Sequence, residues 1–164
     1  MTERKLLVSR LQSARGHVLG AVDGLAEADL RRSILPSGWS CVAMIQHLSL
    51  DVEHFWFACV VAGDETEIGA LDTTGDAWSV AAGVTASAVL DDYRRRAEEA
   101  DAIVAATSLD AAPRWWPEDL FGGWRLHTLG EILVHVLVET ATHAGHLDAA
   151  RELIDGQQWL VLDR

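Results

Sequence analysis

The chain has 164 residues, 49% of them apolar, and a net charge of −12 from 13 basic and 25 acidic side chains. That length suits one ordinary domain, residues 1–164, with a real hydrophobic core, and the apolar content excludes a disordered chain. Nucleic acid and anionic membrane surfaces need a concentrated positive patch, which this charge balance denies them.

Apolar positions at Leu7, Leu11, Val18 and Val22, with Leu6 and Ala14 filling in, predict a helix from Thr2 to Leu25. His17 lies on its face without a clear partner. Glu3, Arg4 and Lys5 lead straight into this pattern, so no signal peptide is expected, and no apolar run reaches membrane-spanning length. The expected location is the cytoplasm. Glu27 to Gly38 is a connection, with Pro36 and Gly38 as breakers.

Ser40 caps a second helix running to Ala62, where Gly63 and Asp64 end it. At helical spacing His47, Asp51 and His54 share one face of it, beside Met44, Leu48 and Phe55. Imidazoles on so apolar a helix are costly to bury unless hydrogen-bonded or metal-bound. Cys41 and Cys59 stand eighteen residues apart on the same rod, too far to pair, and read as small core residues in a reducing compartment.

Asp64 to Gly83, containing Trp78, reads as a long loop, and a loop of that length in a compact domain is often functional. Thr85 caps a third helix reaching Thr107, with Val89, Ala97, Ala100 and Val104 on its inner side. The basic run Arg94-Arg95-Arg96 is flanked by Asp91, Asp92, Glu98 and Glu99, the pattern of a solvated helix face. Leu109 to Leu126 is irregular, punctuated by Pro113, Pro117, Gly122 and Gly123. Trp115, Trp116, Phe121 and Trp124 make it densely aromatic. The simpler reading has these rings cap the bundle end; the alternative has one of the tryptophans line a substrate site.

A fourth helix starts at a T-x-x-E capping box, Thr128 with Glu131, and stops at Gly156. On it His135, Glu139, His143 and His146 fall at roughly 0°, 40°, 80° and 20° around the axis, a single stripe. Ile132, Val136, Leu147 and Ala150 lie beside or within the stripe, so its polar groups border the buried face. A histidine and a carboxylate one turn apart can converge on one metal ion. The spacing leaves two such pairs open, Glu139 with His143 and His135 with Glu139, and beside them the histidine pair His143 with His146. The tail Gln157–Arg164 carries Trp159-Leu160-Val161-Leu162. That segment is too apolar to hang free, so it docks on the bundle or on a second copy of the chain, as a homodimer. No strand pattern or internal repeat stands out, and four helices with long connecting loops make an all-α four-helix bundle.

Two blocks, LPSGWSCVAMIQHLSLDVEHFWF and TLGEILVHVLVETATHAGHLDAARELIDG, and their order and separation resemble the DinB-like superfamily of four-helix bundles. More narrowly they are similar to its mycothiol-dependent branch, the mycothiol S-transferases and maleylpyruvate isomerase. The resemblance implies a divalent metal held by a histidine of the second helix and two residues a turn apart on the last, the first of them a glutamate in this branch. Aligned on that motif, the ligands are His47 in the Gln46-His47-Leu48 triplet, Glu139 and His143. His146 or Asp51 would then orient a ligand or a bound substrate. The resemblance also disfavours a role in DNA repair.

Two neutral imidazoles and one carboxylate leave a divalent ion with net positive charge and open positions. Zinc is the first expectation, and nickel or iron also suits the set. A thiol entering such a position loses its proton near neutral pH and becomes a competent nucleophile. Neither cysteine falls in the site, so the thiol must be a small molecule, mycothiol by the resemblance, attacking an electrophilic substrate. Two other functions stand beside this transferase: a metal-dependent hydrolase using bound water, and a metal-binding bundle without catalytic activity.

Overall fold

A computed structural model describes residues 2–71 and 75–160. Among them every regular element is helical: α1 (Glu3–Val22), α2 (Glu27–Leu30), α3 (Cys41–His47), α4 (Glu65–Ala70), α5 (Ala86–Ala106) and α6 (Leu129–Asp155). Between α3 and α4 the helix runs on as a π-helical segment, Leu48–Val61.

The long helices start where a side-chain oxygen can take an orphan backbone N–H. Thr2 accepts from the Lys5 N–H, Ser40 from Ala43, Thr85 from Ala88 and Thr128 from Glu131. The Glu131 carboxylate reaches one residue further back than a capping box requires, accepting from the His127 N–H at 2.6 Å. Gly156 ends α6 at φ 79°, a left-handed conformation that a side chain would strain.

Three expectations change here. The short helix α2 forms inside the anticipated connection from Glu27 to Gly38. Asp64 opens a short helix inside the anticipated loop, accepting from the Thr66 and Glu67 N–H groups. The second helix is not a uniform α-helix, since beyond His47 its bonding widens, as in the 2.9 Å bond from the Ala62 N–H to the Phe57 carbonyl five residues back. A π turn holds roughly one residue more than an α turn, so seven residues span only about one and a half turns. His54 therefore does not return over His47. It turns toward α4, 3.2 Å from Glu67, and burial together with nearby Arg96 lowers its pKa.

The four long helical segments pack as a bundle, with α1 along α6 and the π segment along α5. Val18 and Ala21 of α1, Ile45 of α3, Leu48 and Phe57 of the π segment, and Ile132, Val136, Leu147 and Ala150 of α6 are fully enclosed. Val89, Ala100 and Val104 line the inner side of α5 as their spacing predicts, whereas Leu6 lies outside the core, 40% exposed. The described part of the tail docks on the bundle itself. The Trp159 indole N–H donates to His17 at 3.3 Å, its backbone N–H to Asp148 at 2.6 Å, and its ring occupies the notch over Gly20. His17 thus has a partner that its own helix does not reveal; Val161 and Leu162 lie outside the described residues. No helix of the described chain is long and apolar enough to cross a membrane.

A buried ion pair ties three of these segments. Arg15 of α1 bonds both oxygens of Glu53 in the π segment at 2.6 Å and reaches Asp101 of α5 at 2.7 Å. Arg15 is 5% exposed and Glu53 1%. Arg15→Met strands the Glu53 charge in the core and is expected to cost about 3–5 kcal/mol, read as a lowered urea midpoint. Adding Glu53→Leu should recover most of that loss. An unchanged midpoint in the single variant would show that the pair does not hold the helices together.

Candidate metal centre

His47 is the last residue of α3, placed where the helix widens, and Glu139 and His143 stand one turn apart on α6. Packing brings the two elements together so that one donor atom from each of the three residues lies within 4.8 Å of the other two. The Nε2 of His143 is 3.4 Å from Glu139 Oε2, and the His47 and His143 rings meet edge-on with centroids 5.1 Å apart. All three side chains are half-buried. Among the described residues this is the one His/Cys/Asp/Glu group close enough to share an ion.

Neighbours fix how the imidazoles sit. Asp51 lies one turn beyond His47 with its carboxylate 2.8 Å from Nδ1. A carboxylate only accepts, so His47 carries its proton on Nδ1 and keeps the Nε2 lone pair for a ligand bond. Trp78 stacks on the other side of that ring, with centroids 4.3 Å apart and planes 20° from parallel. Gln46 holds the Trp78 loop in place, its side-chain amide donating to the Ala77 carbonyl at 2.7 Å. His146 approaches His143 nitrogen to nitrogen, Nδ1 to Nδ1, at 3.4 Å. Burial lowers the His143 pKa and the nearby His47 ring adds to it, while Glu139 opposes. His143 therefore stays neutral, with a lone pair available, at neutral pH.

Beside the three donors opens a cleft of about 1000 Å³. His47, Asp51 and Glu139 form one side of it, and Phe55, Trp56, Trp115, Trp116 and Phe121 are among the residues of the others. The aromatic segment before α6 packs on the bundle and also contributes to the wall of this cleft. Trp116 packs on Trp56 with centroids 5.9 Å apart, closing the bundle end, and Trp115 and Trp116 wall the cleft. Trp124 does not line it; its ring lies 5.4 Å from that of His135 and is 44% exposed. His135 sits in the cleft wall, edge-on to Trp56 at 4.7 Å, away from the three-donor group. Burial lowers its pKa.

Of the residues singled out in the sequence, His47, Asp51, Glu139, His143 and His146 come together, while His54 and His17 do not. Trp78 belongs to the site, and nothing in its own sequence pattern marks it; the length of its loop was the only signal. Cys41 and Cys59 are buried outside the cleft, and burial pushes each thiol up to about 11. Neither is a nucleophile at neutral pH.

The sequence model of the mycothiol-S-transferase family matches residues 6–156. Comparison with curated proteins and with solved structures gave no match. The family match spans both motif blocks and nearly the whole chain, and the chain belongs to this DinB-like family.

Proposed function

We propose that the chain is a metal-dependent transferase that activates a small-molecule thiol, mycothiol by its family, for attack on an electrophilic carbon. One observation carries the reading. Three suitable donors converge at the edge of an aromatic-walled cleft, while both protein thiols are buried elsewhere. The donor set fits a divalent ion, with His47 and His143 as neutral ligands and Glu139 as the anionic one. Zinc suits it best, and iron or nickel is accommodated by the same 2-His-1-carboxylate set. A divalent ion there supplies the positive charge that keeps an incoming thiol ionised near neutral pH.

The chain's residues do the rest. Asp51 orients His47 through Nδ1, and His146 positions His143. Glu139 acts as a ligand rather than a general base. The tryptophan wall receives the electrophile and removes water from around the sulfur. In the transfer, the sulfur lone pair forms the new C–S bond, the leaving group departs with its bonding pair, and the thiol proton passes to solvent.

The test is metal analysis of native protein followed by thiol consumption with and without that metal. Near-stoichiometric metal and consumption that requires both metal and mycothiol are expected. Protein that is purified with no divalent metal and takes none up would overturn the reading, and so would consumption that persists undiminished after chelation.

A further inference from the structure

We infer that the electrophile taken by this cleft has a flat, apolar body and no anionic group. This preference rests on the transferase reading for the metal and the thiol, and on the lining of the cleft for shape and charge. A volume of about 1000 Å³ is at the upper end of small-molecule pockets, leaving room for a second reactant beside a bound thiol. Five rings, Phe55, Trp56, Trp115, Trp116 and Phe121, make up half of its apolar lining, the rest being aliphatic side chains and Pro117, and ring faces favour stacking with a flat partner.

Its charge is one-signed. Asp51, Glu118, Asp119 and Glu139 line the cleft, and among the described residues no lysine or arginine does. Arg125 stacks on the Trp116 ring, 5.4 Å from its centroid, without lining the cleft, and its guanidinium is already bonded to Glu118 at 2.7 Å. His135 adds no positive charge at neutral pH, since burial keeps it neutral. A divalent ion on Glu139 would carry one net positive charge, and a thiolate beside it would cancel that charge. A carboxylate entering next would find no counter-ion and would meet the acidic rim, chiefly Asp119, which makes no ion pair among the described residues. The −12 charge of the whole chain works in the same direction at longer range. A cationic substituent meets carboxylates and ring faces instead.

The experiment measures binding, so that it reads the cleft whether or not transfer occurs. Metal-loaded protein with bound mycothiol is titrated calorimetrically with 2-naphthylmethanol, 2-naphthoate and (2-naphthylmethyl)trimethylammonium, which share one ring system and carry no leaving group. The alcohol and the cation are expected to bind at least about tenfold more tightly than the carboxylate at low salt. Trp115→Ala should weaken all three, placing them in the cleft, and Asp119→Lys should narrow the gap several-fold. Naphthoate binding as tightly as the alcohol would overturn the inference, as would a gap that Asp119→Lys leaves unchanged or no binding of any probe. Charge discrimination without thiol-dependent turnover would remove the transferase reading and leave the cleft preference standing. Turnover with naphthoate as the tightest ligand would do the reverse.

Discussion

His143→Ala is expected to lose tight metal binding, by at least about 100-fold, while His17→Ala keeps it. His143 approaches both other donors, its Nε2 3.4 Å from Glu139 and its ring 5.1 Å from that of His47. Removing it leaves one imidazole and one carboxylate on separate elements, which no longer form a chelating pair one turn apart. Loss of a residue that only orients a ligand typically costs 10–100-fold, so Asp51→Asn should fall between the parent and His143→Ala. His17 serves as the control because it is a histidine with its own contacts, to Ser13 at 3.5 Å and to the Trp159 indole, and is not one of the three donors. Metal content per chain after exhaustive dialysis decides the matter. Equal content in the parent and His143→Ala would remove His143 from the site.

Much of that site was legible because a helix reports its own geometry. The stripe from His135 to His146 follows from a regular α6, and Thr128 and Gly156 mark its ends. What spacing could not supply was the choice among pairs on the stripe. The packing of α3 against α6 places His47 beside Glu139 and His143 and leaves His135 among the tryptophans. The motif resemblance implies the same three residues, since it depends on the order of residues along both helices.

The elements that escaped the sequence share a different cause. A π turn places no distinctive residue in its pattern, so an apolar run read at α spacing put His54 on the wrong side. Arg15 and Glu53 look like exposed charges when each helix is read alone. Their burial is made tolerable by each other and by Asp101, contacts 38 and 86 residues apart in the chain. Trp78 is equally non-local: it belongs to the site because Gln46 pins its loop over the end of α3, where it stacks on His47.

The second large effect concerns the reaction itself: with both metal and thiol supplied the protein should form a conjugate, and withdrawing either should abolish the enzymatic rate. Acid should abolish it too. Burial holds the His143 pKa below its ordinary 6.5, so its neutral, ligand form persists as pH falls past that value and is lost only on passing through the depressed one. Metal bound to it should therefore be retained at pH 7 and released at some point below 6.5, with protons taken up as the ion leaves. In the metal-free protein the sign is the same: the unfolded imidazole binds its proton first, so the stability contributed by the buried neutral ring is present above 6.5 and declines below it. Glu139→Gln keeps the size and removes the anion, so the ion should bind more weakly and any complex that remains should be more electrophilic. A hydrolase using metal-bound water would have a similar acid limb, which makes the product the deciding measurement. Mass spectrometry finding the thiol on the product supports transfer, and hydrolysed substrate formed without any thiol overturns it. An isomerisation that returns the thiol leaves no conjugate, so substrate loss must also be followed with thiol well below the substrate concentration. Under transfer, consumption stops when the thiol is exhausted, because each turnover leaves one sulfur bound to carbon.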